Sequence, residues 1–261
     1  MITEAYGVEV VGLLAACKKA GEKILEIYEQ DFEVDYKGDS SPLTDADREA
    51  NVILMAYLSE EHATTPVISE ENKEISYEER KDWNCFWLVD PLDGTKEFIK
   101  KNGEFTVNVA LIENGKPVLG VVYRPTTGTS HLGVVGEGAW RLEADGEATQ
   151  LKPGEHYEKL AKVRVVGSRS HLTPEVEEFV ENLKSAGKEV EFLSAGSSLK
   201  LCLVAEGEAD VYPRFGPTME WDTGAAHAVA IAAGRQVNSR ETGEALAYNK
   251  ENLLNPFFIV E

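Results

Sequence analysis

The chain has 261 residues, of which 43% are hydrophobic and 28% are charged, and its formal net charge at pH 7 is −20. This length and hydrophobic content allow one large domain or two small ones. The charge argues against non-specific binding to nucleic acid or to anionic lipid surfaces. A phosphorylated substrate would therefore need local help, from a metal ion or from clustered lysine and arginine side chains.

The three cysteines lie far apart between apolar residues, so neither a disulfide framework nor a CxxC metal site is indicated. The N-terminal segment carries acidic residues before its apolar part, unlike a secretory signal. No apolar run approaches the ~18 residues that a membrane-spanning helix needs. We therefore expect a cytoplasmic protein, monomeric or homodimeric, and leave peripheral attachment to the cytoplasmic face of the inner membrane open.

Apolar residues recur at helical spacing from about Thr3 to Gln30, which predicts a long first helix. Thr44 followed by Asp47 has the spacing of a helix N-terminus, and this second helix would run to Glu61. Both helices precede a region in which short apolar runs replace the helical spacing.

Residues from about 66 to 150 are predicted to form strands. Two alternating segments separated by Asn114 and Gly115 indicate a β-hairpin, because this dipeptide tolerates the positive φ angles of a tight turn. The first ~150 residues are therefore predicted to be α+β with an antiparallel sheet. Beyond Pro153 strands and helices alternate, which predicts an α/β layer. The fold class is α/β overall, with subdomains 1–155 and 156–261 and no flexible linker between them.

Acidic residues stand where predicted strands end or predicted helices begin. They are Asp47, Glu70, Glu71, Asp90, Asp93 and Asp222. Asp90 and Asp93 follow the apolar run Phe86–Val89, where an unpaired, dry carboxylate costs several kcal/mol, so a cation, a hydrogen-bond network or water is required. Hard oxygen ligands of this kind suit Mg²⁺. Asp47 or Asp222 alone would be interpreted as a helix cap, but the occurrence of all these acidic residues at strand ends and helix starts favours a metal site.

The motif carried by these residues resembles a known family. Asp90-Pro91-Leu92-Asp93-Gly94-Thr95, preceded by Ile68-Ser69-Glu70-Glu71 and followed by Trp221-Asp222-Thr223-Gly224, is similar to the lithium-sensitive, Mg²⁺-dependent phosphomonoesterases of the inositol monophosphatase superfamily. Within it, the segments KEFI, SPLTDAD and GSSLKLCLVAEGEADVYPRFGPT resemble the CysQ-type 3′(2′),5′-bisphosphate nucleotidases. One departure is Asp45, where the family more often has a small residue.

The resemblance implies a fold and a metal centre. The fold is a five-layered αβαβα sandwich. The centre would hold two or three Mg²⁺ ions, and its ligands would be Glu70, Asp90, Asp93, Asp222 and the main-chain carbonyl of Leu92. Subdomain 1–155 would carry most of these ligands. Subdomain 156–261 would carry the last one together with the nucleotide-binding residues.

The resemblance also implies residue roles. Thr95 would pair with Asp47 to orient and deprotonate the attacking water, although Thr95 could also serve as the N-cap of the following KEFIKK helix. The substrate-binding residues would be Gly94, Thr95, His171, Ser197, Lys200, Arg214 and Asp222. Taken singly, Ser197 would be a helix cap, Lys200 a solvated charge and His171 a loop histidine.

The implied activity is removal of the 3′-phosphate of adenosine 3′,5′-bisphosphate, a by-product of sulfate activation, to leave AMP. The partner would then be a small nucleotide and not a nucleic acid. One alternative is an inositol monophosphatase or a broad-specificity sugar phosphatase with the same metal centre. A second is a non-catalytic metal- or nucleotide-binding regulator that has kept the fold.

Overall fold

The structure is a computed structural model that describes residues 2–29, 34–36, 42–72, 75–168 and 173–261. The α-helices in these ranges are α1 (Val10–Tyr28), α2 (Asp45–Glu61), α3 (Tyr77–Arg80), α4 (Thr95–Ile99), α5 (Pro174–Ser185), α6 (Leu199–Glu206) and α7 (Glu220–Ala232). Short 3₁₀ turns span Glu70–Asn72 and Tyr157–Lys159.

The strands fall into a large sheet, a smaller group of strands and two short hairpins. Their bounds are β1 (Glu4–Ala5), β2 (Val8–Glu9), β3 (Val34–Tyr36), β4 (Pro42–Thr44), β5 (Val67–Ser69), β6 (Cys85–Asp93), β7 (Thr106–Glu113), β8 (Lys116–Arg124), β9 (Thr129–Val134), β10 (Gly138–Leu142), β11 (Ala148–Gln150), β12 (Lys162–Gly167), β13 (Glu189–Ser194), β14 (Tyr212–Arg214), β15 (Val237–Ser239) and β16 (Phe258–Val260).

The large sheet has the strand order β11-β10-β9-β8-β7-β6-β5. Neighbouring strands are antiparallel except β5 and β6, which are parallel. The prediction of an antiparallel sheet is therefore right for all but this edge pair. The connection from β5 to β6 passes through the 3₁₀ turn and α3, which gives the chain enough length for a parallel crossover.

The layers follow from which helices pack on which sheet. Helices α1 and α2 cover one face of the large sheet, α7 covers the other face, and α6 packs beside α7. On the far side of α6, strand β12 pairs with β13, and Val165 of β12 forms a bridge to Val211, the residue before β14. Strand β14 pairs in turn with β16, and β16 with β15. Helix α5 packs outside these strands against β13 and β14. The order is α, β, α, β, α, and the predicted five-layered sandwich is confirmed.

The first helix begins later than the sequence pattern predicts. Residues 4–9 form the hairpin of β1 and β2, and the predicted start at Thr3 is wrong. Tyr6 and Gly7 have positive φ angles of 53° and 69°, which make the tight turn that a helix cannot contain. Helix α1 then starts after Glu9, whose carboxylate accepts from the N–H of Gly12 at 2.8 Å.

The predicted hairpin between β7 and β8 is confirmed. Asn114 and Gly115 connect β7 to β8 with φ angles of 50° and 72°, as the dipeptide indicates. The final strand, β16, was not predicted, although it lies between β14 and β15 and completes their pairing.

Helix α7 lies unusually close to the large sheet because two strands carry glycine beneath it. A Cβ on Gly120 of β8 would lie 2.2 Å from the carbonyl oxygen of Ala225, and one on Gly133 of β9 would lie 2.4 Å from the Cα of Val229. Both neighbours are backbone atoms, which cannot avoid the contact by adopting another rotamer. Helix α7 belongs to the predicted second subdomain and the sheet to the first, so this contact joins the two. The subdomain boundary near residue 155 stays a prediction.

We expect Gly133→Ala to destabilise the protein by about 1–3 kcal/mol, because the new methyl group must push the helix off the sheet. The measurement is thermal unfolding, in which Tm should fall by roughly 2–10 °C. Gly216→Ala is the matched control, since its new Cβ would lie 3.8 Å or more from its neighbours. Equal Tm values for the two variants would contradict the proposed close packing.

Candidate active site

The register of β5 and β6 brings two acidic residues to the same end of the large sheet. Ser69 pairs with Val89, and the next residues along the two strands are Glu70 and Asp90. Because the two strands run in the same direction, the carboxylates follow at neighbouring positions. The parallel pair at the sheet edge is therefore what joins the first two candidate ligands.

Residues Asp90 to Asp93 form a bulge within β6 and not a turn after it, because the strand runs past Val89 to Asp93. Regular pairing with β7 is interrupted between Asp90 and Asp93, and the N–H of Leu92 donates to Oδ1 of Asp90 at 3.1 Å. Gly94 follows with a φ of 94° and is the N-cap of α4. A Cβ at this position would be strained and would lie 3.1 Å from the carbonyl oxygen of Glu104. The backbone conformation therefore requires a glycine in the motif.

Thr95 is the first residue of α4, so Gly94 and not Thr95 is the N-cap. The Thr95 hydroxyl donates to the carbonyl oxygen of Leu92 at 3.4 Å, which is long for a hydrogen bond between oxygens. The carbonyl proposed as a neutral metal ligand and the proposed catalytic hydroxyl are thus in contact with each other.

Asp90 lies at the centre of a group of negative charges. It is only 1% exposed, and burial is the largest cause that raises its pKa well above the ordinary value. Neighbouring carboxylates raise this pKa further; they are Glu70, Asp93, Asp222 and Asp47. The structure therefore places Asp90 near four of the other five acidic residues that the sequence singles out, and Glu71 is not among these four.

Asp47 and Asp45 face different surroundings although they are two residues apart. Asp47 lies in the first turn of α2 and is 2% exposed. Asp45 is exposed and forms an ion pair with Arg48, one turn further along the same helix. The extra carboxylate that departs from the family pattern is therefore engaged at the surface.

Asp93 is held by the segment that leads into α6. Its Oδ2 accepts from the N–H of Ser198 at 2.5 Å, and Asn108 lies 3.5 Å from the same oxygen. Burial raises the pKa of Asp93, while the positive charge of Lys200 and the hydrogen bond from Ser197 oppose that rise. The candidate metal ligand and the candidate nucleotide-binding residues are therefore direct neighbours.

Lys200 is a buried cation. Its Nζ donates to the carbonyl oxygen of Ser197 at 2.6 Å and lies 5.6 Å from the ring centre of Tyr212. Burial lowers its pKa to about 8, although Asp93 favours the charged form. Lys200 is thus not the solvated charge that its sequence position would suggest when taken alone.

Asp222 lies in the first turn of α7. Its Oδ2 accepts from the N–H of Met219 at 2.8 Å, which caps the helix. Burial, then the charges of Asp93 and Glu70, raise its pKa to about 8, and Arg214 opposes this shift. The capping role and the place in the acidic group are therefore compatible.

Several of these residues line one cavity of about 160 Å³, whereas Asp47, Glu70 and Asp90 are not part of its lining. Asp93 and Asp222 line it together with Lys200 and Arg214, so acidic and basic side chains face the same space. The Nη2 of Arg214 donates to the carbonyl oxygen of Pro217 at 2.8 Å. Gly94 and Ser197 also line the cavity. His171 lies outside the described residues.

The donor set fits a hard divalent cation by its chemistry. In the described ranges, no three His, Cys, Asp or Glu side chains converge closely enough to coordinate an ion as they are placed. One oxygen of each of Asp90, Asp93 and Asp222 accepts from a main-chain N–H, which leaves the other oxygen of each carboxylate for a cation. Their mutual repulsion raises the pKa of Asp90, and a bound cation would offset that repulsion.

A small hydrogen-bond network beneath Asp93 was not identified from the sequence. The Thr106 hydroxyl lies 2.7 Å from that of Ser197 and 2.9 Å from that of Ser198, which in turn donates to Oδ1 of Asn108 at 2.9 Å. The available signal was a threonine and an asparagine at alternate positions of the buried strand TVNVALI.

The chain was compared with known proteins. The model of the inositol monophosphatase family matches residues 9–256. The chain belongs to the inositol monophosphatase family. Family membership implies a metal-dependent phosphatase. In the part of the chain that the structure describes, every helix is too short or too polar to cross a membrane.

Individual members of the family are similar over nearly the whole chain. The 3′(2′),5′-bisphosphate nucleotidase CysQ of Salmonella typhimurium is 46% identical over 246 residues, which cover 93% of this chain and 95% of that protein. The crystal structure of CysQ from Bacteroides thetaiotaomicron has a TM-score of 0.83 at 48% identity, with 96% of each chain covered. The suppressor protein SuhB of Bartonella henselae has a TM-score of 0.75 at 25% identity, with 95% and 93% covered.

The raised pKa of Asp222 gives a testable stability prediction. An ordinary aspartate has a pKa near ~3.9 in the unfolded chain, so between about pH 4 and pH 8 the native state binds more protons than the unfolded state. The stability of the metal-free protein should therefore fall as pH rises through this window. Asp222→Asn keeps the acceptor for the N–H of Met219 and should reduce that fall.

The measurement is Tm of metal-free protein at pH 5 and pH 8, with and without Mg²⁺. At pH 8 we expect metal-free Asp222→Asn to be more stable than wild type, and Mg²⁺ to raise the Tm of wild type more than that of the variant. Asp82→Asn is the control, because Asp82 is exposed and lies before the first residue of β6, far along the strand from Asp90. Its Tm should change with pH and Mg²⁺ as that of wild type does. A variant with the same pH slope as wild type would contradict the prediction.

Proposed function

We propose that this chain is a Mg²⁺-dependent phosphomonoesterase that hydrolyses the 3′-phosphate of adenosine 3′,5′-bisphosphate to give AMP and phosphate. Identity of 46% over 93% of the chain to a 3′(2′),5′-bisphosphate nucleotidase supports this choice within the family. We further propose two or three Mg²⁺ ions, with Glu70, Asp90, Asp93, Asp222 and the carbonyl of Leu92 as ligands.

The observation that carries the proposal is the lining of the 160 Å³ cavity. Asp93 and Asp222 provide an acidic side suited to metal-bound phosphate, and Lys200 and Arg214 provide cations on the same cavity. A substrate with one phosphate at the metal and a second phosphate further away would engage both. A chain with a net charge of −20 otherwise repels such a substrate, so these local cations have a clear role.

The chain's own residues would act on water and on the substrate. Asp47 is an acceptor near Asp90, and we propose that it takes a proton by way of the Thr95 hydroxyl, which orients the attacking water. Bound Mg²⁺ would polarise that water and neutralise the phosphate oxygens. Ser197 and the buried Lys200 would hold the nucleotide. Residue Gly94 allows the backbone to approach the phosphate closely.

The inositol monophosphatase alternative shares the same acidic residues, so substrate preference must separate the two. The experiment compares kcat/KM for adenosine 3′,5′-bisphosphate, inositol 1-phosphate and fructose 1,6-bisphosphate, each with Mg²⁺ and after chelation. We expect the nucleotide to be preferred and chelation to abolish turnover, because the acidic group cannot bind phosphate unaided. A preference for inositol 1-phosphate would favour the alternative, and no turnover on any substrate would favour a non-catalytic regulator.

Thr95→Ala should lower kcat by about 10²–10⁴-fold with a much smaller change in KM, because the hydroxyl is proposed to act on water and not to bind substrate. Steady-state kinetics on the bisphosphate nucleotide measure this split. Thr95→Ser is the control, since it keeps a hydroxyl at the same position and should retain most of the activity. If the alanine variant keeps the wild-type kcat, Thr95 has no catalytic role.

A further inference from the structure

A second cavity of about 290 Å³ adjoins the first. Lys96, Ser168, Tyr212 and Arg214 line both cavities and therefore mark the passage between them. The first cavity alone is smaller than the ~300–1,000 Å³ that is typical of small-molecule sites, whereas the two together fall within that range. A ligand larger than inorganic phosphate would extend from one cavity into the other.

The second cavity has the character of a nucleoside site. Val176, Phe192 and Phe215 line it with apolar and aromatic surface. Phe192 is 37% exposed, and its ring lies against Gly167, where a Cβ would come within 2.6 Å. Aromatic rings and a glycine-lined wall accept a flat base, so the passage would be occupied by the ribose and its substituents.

Three cationic side chains of the described residues line the first cavity, and they differ in how many of their N–H donors already form hydrogen bonds within the protein. Lys200 is buried and donates to two main-chain carbonyls, those of Ser197 and Ala195. Arg214 donates to Pro217, and its Nε is buried with no hydrogen-bond partner.

Lys96 is exposed, and its ammonium forms no hydrogen bond or ion pair with another described residue. It directly follows Thr95 on α4, so it lies beside the proposed reaction site. Lys96 is thus the cation whose donors are free for a ligand in the passage.

We propose that Lys96 is a specificity residue that binds the second phosphate of the substrate, the one that is not hydrolysed. This inference rests on the proposed function. The reacting phosphate belongs at the acidic side near Asp93 and Asp222, which leaves the second phosphate nearer the passage. A phosphate there would be near the cations of Lys96 and Arg214, both of which line both cavities.

The consequence is a preference for bisphosphate over monophosphate substrates. A substrate without the second phosphate leaves the Lys96 ammonium in water, where it is already solvated, and so loses an attraction without meeting a penalty. Lys96 should therefore contribute to KM more than to kcat, since the contact is the same before and during the reaction.

The experiment measures kcat and KM of wild type, Lys96→Ala, Lys96→Arg and Lys100→Ala on adenosine 3′,5′-bisphosphate and on adenosine 3′-monophosphate. We expect Lys96→Ala to lower kcat/KM for the bisphosphate about tenfold, mostly through KM, and to change the monophosphate less than about twofold. Lys96→Arg should restore most of the loss. Lys100→Ala removes a lysine from the C-cap of the same helix, outside both cavities, and should behave as wild type.

The dependence of substrate preference on ionic strength is a second measurement, and it would not change if Lys96 had only a structural role. The wild-type preference for the bisphosphate should decrease as salt rises, and the smaller preference of Lys96→Ala should depend on salt less. Equal losses on both substrates, or no loss on either, would overturn the assignment of Lys96 while wild type still cleaves the nucleotide. If wild type does not cleave the bisphosphate, it is the proposed function that fails.

Discussion

Repulsion among buried carboxylates at the end of β6 is the constraint on which the rest of this structure depends. Asp90 is almost fully buried, and the charges around it raise its pKa instead of stabilising its ionised form. Such a group is tolerated only if the surrounding elements are rigid enough to hold it together. The parallel register of β5 and β6, the Gly94 turn and the close packing of α7 all meet that need.

Both halves of the chain provide charged groups to one cavity, Asp93 and Lys96 from the first half and Asp222, Lys200 and Arg214 from the second. The acidic side comes mainly from the large sheet and its helices, whereas the cations Lys200 and Arg214 come from α6 and β14. Asp93 joins the two halves directly, because it accepts from the N–H of Ser198. A change in how α6 packs would therefore alter the acidic group as well as the position of Lys200, because several hydrogen bonds join the start of α6 to Asp93 and β7.

Some parts of the fold were predictable because they depend on local geometry. The Asn114-Gly115 hairpin required nothing beyond two residues that accept positive φ. The late start of α1 was missed for the same kind of reason, since the Tyr6-Gly7 turn was masked by a helical spacing of apolar residues that continued through it. The parallel pairing of β5 with β6 and the insertion of β16 between β14 and β15 depend on partners far away in the chain, which periodicity cannot specify.

By itself the sequence predicted a set of candidate site residues, because DPLDGT and the later Trp221-Asp222 pair are specific combinations of oxygen donors and turn residues. Its motifs also indicated the family, and the five-layered order followed from that resemblance and not from periodicity. Only the tertiary structure decided that Lys200 is buried and Lys96 is exposed, and that Thr106, Asn108 and Ser198 support Asp93. The physical reason is that burial, and with it pKa and hydrogen-bond partners, is a property of packing between distant segments and not of the residue type.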